Sequence, residues 1–326
     1  MYKLFYLLLA KSSILVGGQA VIEGVMMRVP GAYATAVRLK DNTIKIKRNT
    51  FTSLIEKKKM HHYYIIRGMI HLYESMKMGY QTLDWSANMN DDDYKEEKNT
   101  TFYDKIKDTL ASLFSIFFAV SLFLLLPLFF TFYFEDIINQ PFIFNFISGI
   151  IRITIFLLYL ILIAQLKDVK TLFRYHGAEH KVVYNFESGQ MLTTQNAKKF
   201  PTQHPRCGTS FVFIIMLVTI FTHAILDSIA LIFINELTIL IRFSLHIICL
   251  PLVAGIGYEV LKFLSTRQSI TLFSILSKPG LWLQNITTKE PTDLELEVSI
   301  SALESAFGKN KIKNFKGQQF KADAIG

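Results

Sequence analysis

The strongest constraint on this chain is the run from Thr109 to Phe134, which contains no charged residue. At about 1.5 Å per helical residue, such a run is long enough to cross roughly 30 Å of hydrocarbon with some tilt. Three more apolar segments follow it. One runs from Pro141 to Leu166, interrupted by Arg152; one from Phe211 to Ile234, with His223 and Asp227; and one from Leu237 to about Leu264, with Arg242 and His246. The pattern predicts a membrane α-helical fold of four transmembrane helices in two hairpins, over 109–166 and 211–264, joined to a mixed α+β cytoplasmic domain. A chain that is 51% hydrophobic and only 19% charged agrees with the membrane class.

Charge placement sets the expected orientation. Of the 35 Lys and Arg, 17 lie in residues 1–109, seven in 167–210 and nine in 262–326, with two inside the spans. The connectors 135–141 and 235–236 hold none. Because Lys and Arg collect on the cytoplasmic side, both termini are expected there, in a multi-pass protein of a bacterial cell membrane or of a plastid or other organelle membrane. The same argument accounts for the net charge of +9 without nucleic acid, since no basic stripe is interleaved with aromatics. The expected partner is the lipid bilayer. A homo-oligomer stays open.

The polar segments also carry local signals. Residues 1–100 form an N-terminal domain and linker. Within them, Met1–Ser13 reads as a surface-attached or packed segment, with a cleaved signal as the alternative. Thr35, Val37 and Leu39 alternate with polar neighbours, as do Ile44 and Ile46, and Asp41-Asn42 between them predicts a β-hairpin. Ile65, Met69, Leu72, Met76, Tyr80 and Leu83 recur at spacings of three and four, which predicts an amphipathic helix over 61–83. Residues 88–100 are a solvated linker by composition. In the C-terminal segment 265–326, Pro291-Thr292-Asp293 is a helix start, followed by Leu296, Ile300, Leu303 and Phe307, and the last basic stretch reads as disordered.

Chemistry concentrates in the 167–210 loop. Tyr175-His176-Gly177-Ala178-Glu179-His180-Lys181 places two imidazoles at i and i+4 on one helix face with Glu179 beside them, the H-x-x-E-H order of a reversed zinc-protease motif. His204-Pro205-Arg206-Cys207-Gly208 adds an imidazole and a thiol. His176, His180, His204 and Cys207 are therefore the candidate metal ligands, and an N and S donor set suits Zn²⁺. Four protein ligands would make a closed structural site. Three would leave an open position, with Glu179 or Glu187 as the catalytic base. The bland alternative is that His176 and His180 only hydrogen-bond at a juxtamembrane helix end. The other thiol, Cys249, lies in an apolar run as a small core residue, and two cysteines make no disulfide framework.

A second motif, Gly17-Gly18-Gln19-Ala20-Val21-Ile22-Glu23-Gly24-Val25-Met26-Met27-Arg28, pairs glycines with a potential Glu23 and Arg28 ion pair. It reads either as a ligand or cofactor contact through Glu23 and Arg28, or as a glycine-punctuated core strand. It lacks the spacing of a nucleotide loop.

These two motifs, with His204–Phe211, Pro251–Glu259, Pro279-Gly280, Gln284, Ile286–Pro291 and Leu296–Val298, resemble the YqhQ-like family of bacterial membrane proteins, also called the DUF1385 family. The resemblance runs from about Val16 to Leu303. It implies a metal-dependent enzyme and brings no reaction with it. The chain departs from the family pattern in a longer acidic linker near Asp91 and in Val29, where a glycine often precedes the proline. The leading expectation is a metal-dependent, hydrolytic membrane enzyme. A membrane scaffold or regulator with a structural Zn²⁺ is the runner-up, and an ion pathway using the intramembrane charges is the third.

Overall fold

The computed structural model describes residues 16–60, 62–90, 102–205, 207–265 and 271–308. The Met1–Ser13 segment, most of the 88–100 linker, Arg206 and the final basic stretch lie outside the described residues. The described residues start with a four-stranded antiparallel meander: β1 (Gly17–Val21), β2 (Gly24–Val29), β3 (Ala32–Arg38) and β4 (Ile44–Thr50). The predicted hairpin is its second half, with Val37 opposite Lys45 and Asn42 at φ 66° in the loop. The glycine motif forms the first half, turning at Ile22-Glu23 with Glu23 at φ 49°.

Two helices, α1 (Leu54–Lys58) and α2 (Tyr64–Asn90), follow the sheet. The next helix, α3 (Phe102–Val120), passes through a π-helical turn at Ser121–Leu125 into α4 (Leu126–Phe132). Beyond a short 3-10 turn come α5 (Pro141–Ile163), α6 (Lys167–Glu187), α7 (Thr194–Ala197) and α8 (Gly208–Phe233). The described residues end in α9 (Ile239–Ile248), α10 (Leu250–Ser265), α11 (Thr271–Thr287) and α12 (Asp293–Phe307).

Among the described residues, three helical stretches are long and apolar enough to cross a membrane: Thr109–Phe132, Pro141–Ile163 and Val212–Phe233. The fourth expected span is not one straight helix. It is the pair α9 and α10, bent by 55°, and it counts as a span only when the two are taken together. Pro251 accounts for the break: it lacks an N–H, and its ring crowds the carbonyl four residues back.

The main core of the polar half gathers three stretches distant in sequence. Val25, Met27, Val29, Ala34 and Ala36 on one sheet face meet Tyr175, Ala178, Val182 and Phe186 of α6, and Leu296, Ala302, Leu303 and Phe307 of α12. Leu296 and Leu303 are fully buried, each worth about 1.5–3 kcal/mol of apolar transfer. The predicted start of α12 is a capping box, in which the Thr292 side chain accepts from Leu294 N and Glu295 accepts from Thr292 N at 2.8 Å. β3 is buried along its length, whereas alternation predicted a strand buried on one face only. The cause is α2, whose Met78 joins Met26 and Tyr33 on the second face.

The expected helix exists in α2, yet it buries a different face. Gly68, Glu74, Met78, Thr82 and Ser86 turn inward, and Met76, Tyr80 and Leu83 of the apolar stripe are exposed. Polar anchors hold this orientation. Glu74 accepts from Ser53 Oγ at 2.7 Å and from Leu54 N at 2.6 Å, Ser86 Oγ accepts from Ile22 N, and Gln19 Nε2 donates to Gly79 O. Buried polar groups must be paired, so these bonds outweigh the stripe in choosing the inward face.

Among the apolar helices, Asp227 of α8 is the hub. Its carboxylate takes Arg242 Nη1 at 2.8 Å, His246 Nε2 at 3.0 Å and Asn145 Nδ2 at 2.7 Å. Asp227, Arg242 and His246 are all fully buried. The other Arg242 amino group reaches Ile138 O, and the guanidinium lies 3.7 Å over the Phe144 ring. Arg152 donates through Nε to the Phe123 carbonyl within the π turn at 3.0 Å. The inward pairing expected of the intramembrane charges is thus present. Cysteines placed at 227 and 242 in a Cys249→Ser background should crosslink with short reagents. Asp227→Ala or Arg242→Ala alone should cost about 3–5 kcal/mol in a thermal melt, because either leaves a buried charge unpaired; full tolerance without crosslinking would count against the pair.

Candidate metal site

The site begins with α6. His176 and His180 stand one helical turn apart on it, with ring centroids 4.5 Å apart. His176 Nδ1 meets the Thr287 carbonyl at 2.8 Å, and His180 Nδ1 meets the Thr202 carbonyl. A carbonyl only accepts, so each Nδ1 carries a proton, which in the neutral tautomer leaves the lone pair on Nε2. His176 Nε2 lies 3.1 Å from Cys207 Sγ, whereas His180 Nε2 is buried with no hydrogen-bond partner among the described residues. The His176, His180 and Cys207 ligand atoms all lie within 4.8 Å of one another.

Cys207 comes to this point because it is the N-cap of α8, its Sγ accepting from Thr209 N. The segment before it is held by a two-way amide clamp. His204 N donates to Gln284 Oε1 at 2.7 Å, and Gln284 Nε2 donates to His204 O at 2.9 Å. Gln284 and Thr287 both belong to α11, so the C-terminal part of the chain positions two of the three donors.

Glycines permit the close approaches. A Cβ at Gly177 would overlap the Lys289 carbonyl oxygen, and Lys289 N donates to Phe173 O at 2.9 Å, so the 287–291 segment runs directly against α6. A Cβ at Gly18 would meet Glu179 Cγ at 2.9 Å and Met26 O at 2.5 Å. The two sequence motifs therefore touch: β1 lacks a side chain where the Glu179 side chain lies. Lys181 is buried on the same helix, donating to Phe200 O at 2.8 Å and pairing with Glu290 at 2.6 Å.

The remaining candidates sort by position. Glu179 is buried, with Oε2 3.5 Å from His180 Nε2. His204 is buried too, but its Nε2 faces Glu187 Oε2 at 3.9 Å and its ring centroid stands 5.5 Å from that of His180. Glu187 lies about two turns further along α6 and accompanies His204, outside the three-atom group. Glu23 and Arg28 are brought to opposite ends of the first hairpin, and the ion pair expected between them does not form. The Tyr175 hydroxyl approaches Glu23 Oε2 at 3.4 Å, and Arg28 lies 4.6 Å over the Phe51 ring. The turn at Ile22-Glu23 explains this, since it leaves Glu23 outside the strand that carries Arg28. Tyr175 is held in its neutral form by burial, which pushes the phenol well above its ordinary range, and by the neighbouring Glu23 carboxylate.

Sequence reasoning passed over Thr202, Thr287 and Gln284 because two act through backbone carbonyls, which residue type does not reveal. Gln284 and Thr287 were visible only as part of the C-terminal family resemblance.

The family described as "Protein of unknown function (DUF1385)" matches residues 64–309. The "Uncharacterized protein YqhQ" of Bacillus subtilis (strain 168) is 30% identical over 299 residues, covering 88% of this chain and 90% of that protein. No solved structure matches.

Gly177→Ala should lower stability by roughly 1–3 kcal/mol, the usual cost of forcing atoms into a filled space. A thermal melt unchanged by this substitution would show that the 287–291 segment does not sit against α6.

Proposed function

The chain belongs to the DUF1385 family, and we propose that it is a membrane-embedded, metal-dependent hydrolase in which His176, His180 and Cys207 hold Zn²⁺. The observation that carries this reading is the state of the two imidazoles. Each has its Nδ1 tied to a carbonyl, the usual outer support of a metal-binding histidine, and the buried His180 Nε2 has no hydrogen-bond partner among the described residues, with Glu179 Oε2 3.5 Å away. Two nitrogens and one sulfur form a borderline-soft donor set suited to Zn²⁺. Such an ion supplies Lewis acidity to a water or substrate oxygen.

The protein's own residues do the rest. Thr287 and Thr202 fix the ring orientations, and Gln284 fixes the loop that delivers Cys207. Glu179 is the carboxylate closest to the donors on its own helix and is the group we assign to take a proton from the attacking water. His204, turned toward Glu187, supports a three-ligand set with an open position over the closed four-ligand set of a structural site. In this reading the polar half lies on the cytoplasmic face, where the positive charge collects.

A separate observation favours a second reading, an ion pathway. His223 stacks on His246 at 3.7 Å, and neither of its ring nitrogens has a hydrogen-bond partner among the described residues, beside a span that is broken in two. Proton flux into liposomes containing the protein, abolished by Asp227→Asn and retained in His176→Ala, would select this reading over the first.

The metal reading predicts about one equivalent of zinc per purified chain, removed by combined His176→Ala and His180→Ala substitution and retained in His204→Ala and Glu179→Gln. Elemental analysis measures it. Wild-type protein without a tightly held transition metal sinks the proposal, and loss of metal in His204→Ala converts the site to a structural one.

A further inference from the structure

The face of the β-sheet that turns away from α6 and α12 is only partly covered. Residues opposite each other on antiparallel strands share a face, so the pairs Met26–Thr35, Tyr33–Asn49 and Thr35–Lys47 put these five side chains on it together. α2 covers the β1 end of this face. Gln19 Nε2 donates to Gly79 O and Ile22 N donates to Ser86 Oγ, each at 3.1 Å, while Met78 packs on Met26 and Tyr33. β1 and β4 are opposite edges of the sheet, so these anchors hold α2 away from β4.

The space left between α2 and the β3–β4 hairpin is a groove of 380 Å³, within the size range of small-molecule sites. Its floor includes Thr35, Lys47 and Asn49. Its wall includes Asp84, Trp85 and Asn88, which lie at helical spacing on one face of α2. Two features separate it from a solvated cleft. Thr35 is only 1% exposed, and its hydroxyl has no hydrogen-bond partner among the described residues, so a buried polar group meets the groove unpaired. Trp85 is half-buried, and the Lys47 ammonium stands 5.9 Å from the centre of its ring.

The lining defines a ligand by what it offers. Lys47 donates, Asp84 accepts, and the Asn49 and Asn88 amides and the Thr35 hydroxyl do both. Lys47 and Asp84 are the charged residues of the lining, and they cancel, which suits a neutral ligand. The indole sets a flat apolar surface beside this polar group. A sugar ring has the matching chemistry: hydroxyls around its rim that donate and accept, and a face of C–H groups that lies on an aromatic ring. A phosphate would meet the like charge of Asp84. A nucleobase would stack, but its rim carries too few polar groups for this lining.

The groove opens on water. Contacts between α2 and α10 pass from Gly68 against Gly255 to His71 stacked on Tyr258, toward Lys262 in the last turn of α10. Trp85 lies 14 residues beyond His71, about 21 Å further along α2. The groove is also on the sheet face opposite the Gly18–Glu179 contact, apart from the metal site.

The geometry points to a binding site for a neutral sugar ring in this groove, stacked on Trp85 and held through its hydroxyls by Lys47, Asp84, Asn49 and Asn88. The site is independent of the metal reading and draws its ligand from the aqueous phase.

The chain has two tryptophans, and the other, Trp282, lies outside the groove. The test therefore uses the full chain carrying Trp282→Phe, in an amine-oxide detergent in place of a sugar-headed one, and follows Trp85 emission during titration. The probes are glucose, N-acetylglucosamine and maltose, with glycerol and adenosine for comparison. The expected result is a saturable change with at least one sugar, with a Kd of about 1 mM or tighter. Asp84→Ala or Lys47→Ala should weaken that binding at least about tenfold, because each removes a charged hydrogen-bonding partner at an exposed position. The converse variant, Trp85→Phe with Trp282 retained, should give no response. No saturable change with any of the three sugars up to about 50 mM, or a response that glycerol matches, overturns the site. Tighter binding of adenosine than of every sugar overturns the ligand class, and affinity unchanged in both the Asp84 and Lys47 variants overturns the groove as its location.

Discussion

The contact between the Lys289 peptide and Gly177 is the constraint on which the polar half depends. The chain returns from its apolar helices along α11 and must cross α6, and it crosses where α6 has no side chain. That crossing brings the Thr287 carbonyl to His176, Gln284 to the backbone of His204, and the capping box of α12 into position to close the core over the sheet. Three functions of one segment, orienting a ring, bracing a loop and starting a helix, follow from a single close approach. Tight backbone contact of this kind has discrete solutions, because close-packed interiors do not deform continuously.

The apolar half is organised by another principle. Association between apolar helices gains little from hydrophobic burial when the surroundings are themselves apolar, so close fit and polar pairing decide which faces meet. Gly149 admits the Ile220 side chain between α5 and α8, and Asp227 draws donors from α5 and α9 onto α8. α8 also links the two halves. Cys207 caps its first turn, and Asp227 stands 20 residues later, about 30 Å along one unbroken helix. The donor cluster and the buried ion pair are thus fixed to the ends of the same rod.

Much of this architecture was legible in residue patterns. Apolar run length located the long helices, spacing of three and four located α12 and its buried residues, and the His176–His180 interval placed two imidazoles on one face. What failed did so for identifiable physical reasons. Periodicity located α2 but not its inward face, because Glu74, Ser86 and Gln19 require partners that only the folded sheet and α1 supply. The Glu23–Arg28 pairing failed because spacing in sequence ignored the turn between them. The supporting carbonyls of Thr202 and Thr287 were illegible because every residue type offers the same carbonyl. His204 looked equivalent to Cys207 along the chain and differs from it by facing Glu187.

Pro127, just past the π turn at Ser121–Leu125, ties two distant positions into one inheritance. A proline has no N–H, so the carbonyl four residues before it has no donor in the regular helical ladder. Here that oxygen belongs to Phe123 and receives Arg152 from the neighbouring helix. A relative with any other residue at the position of Pro127 would supply the missing N–H, and an arginine at the position of Arg152 would compete with it for the acceptor. The proline and the arginine should therefore be gained and lost together across the family, so that a ring in one helix and the charge of a side chain in another form a single evolutionary character.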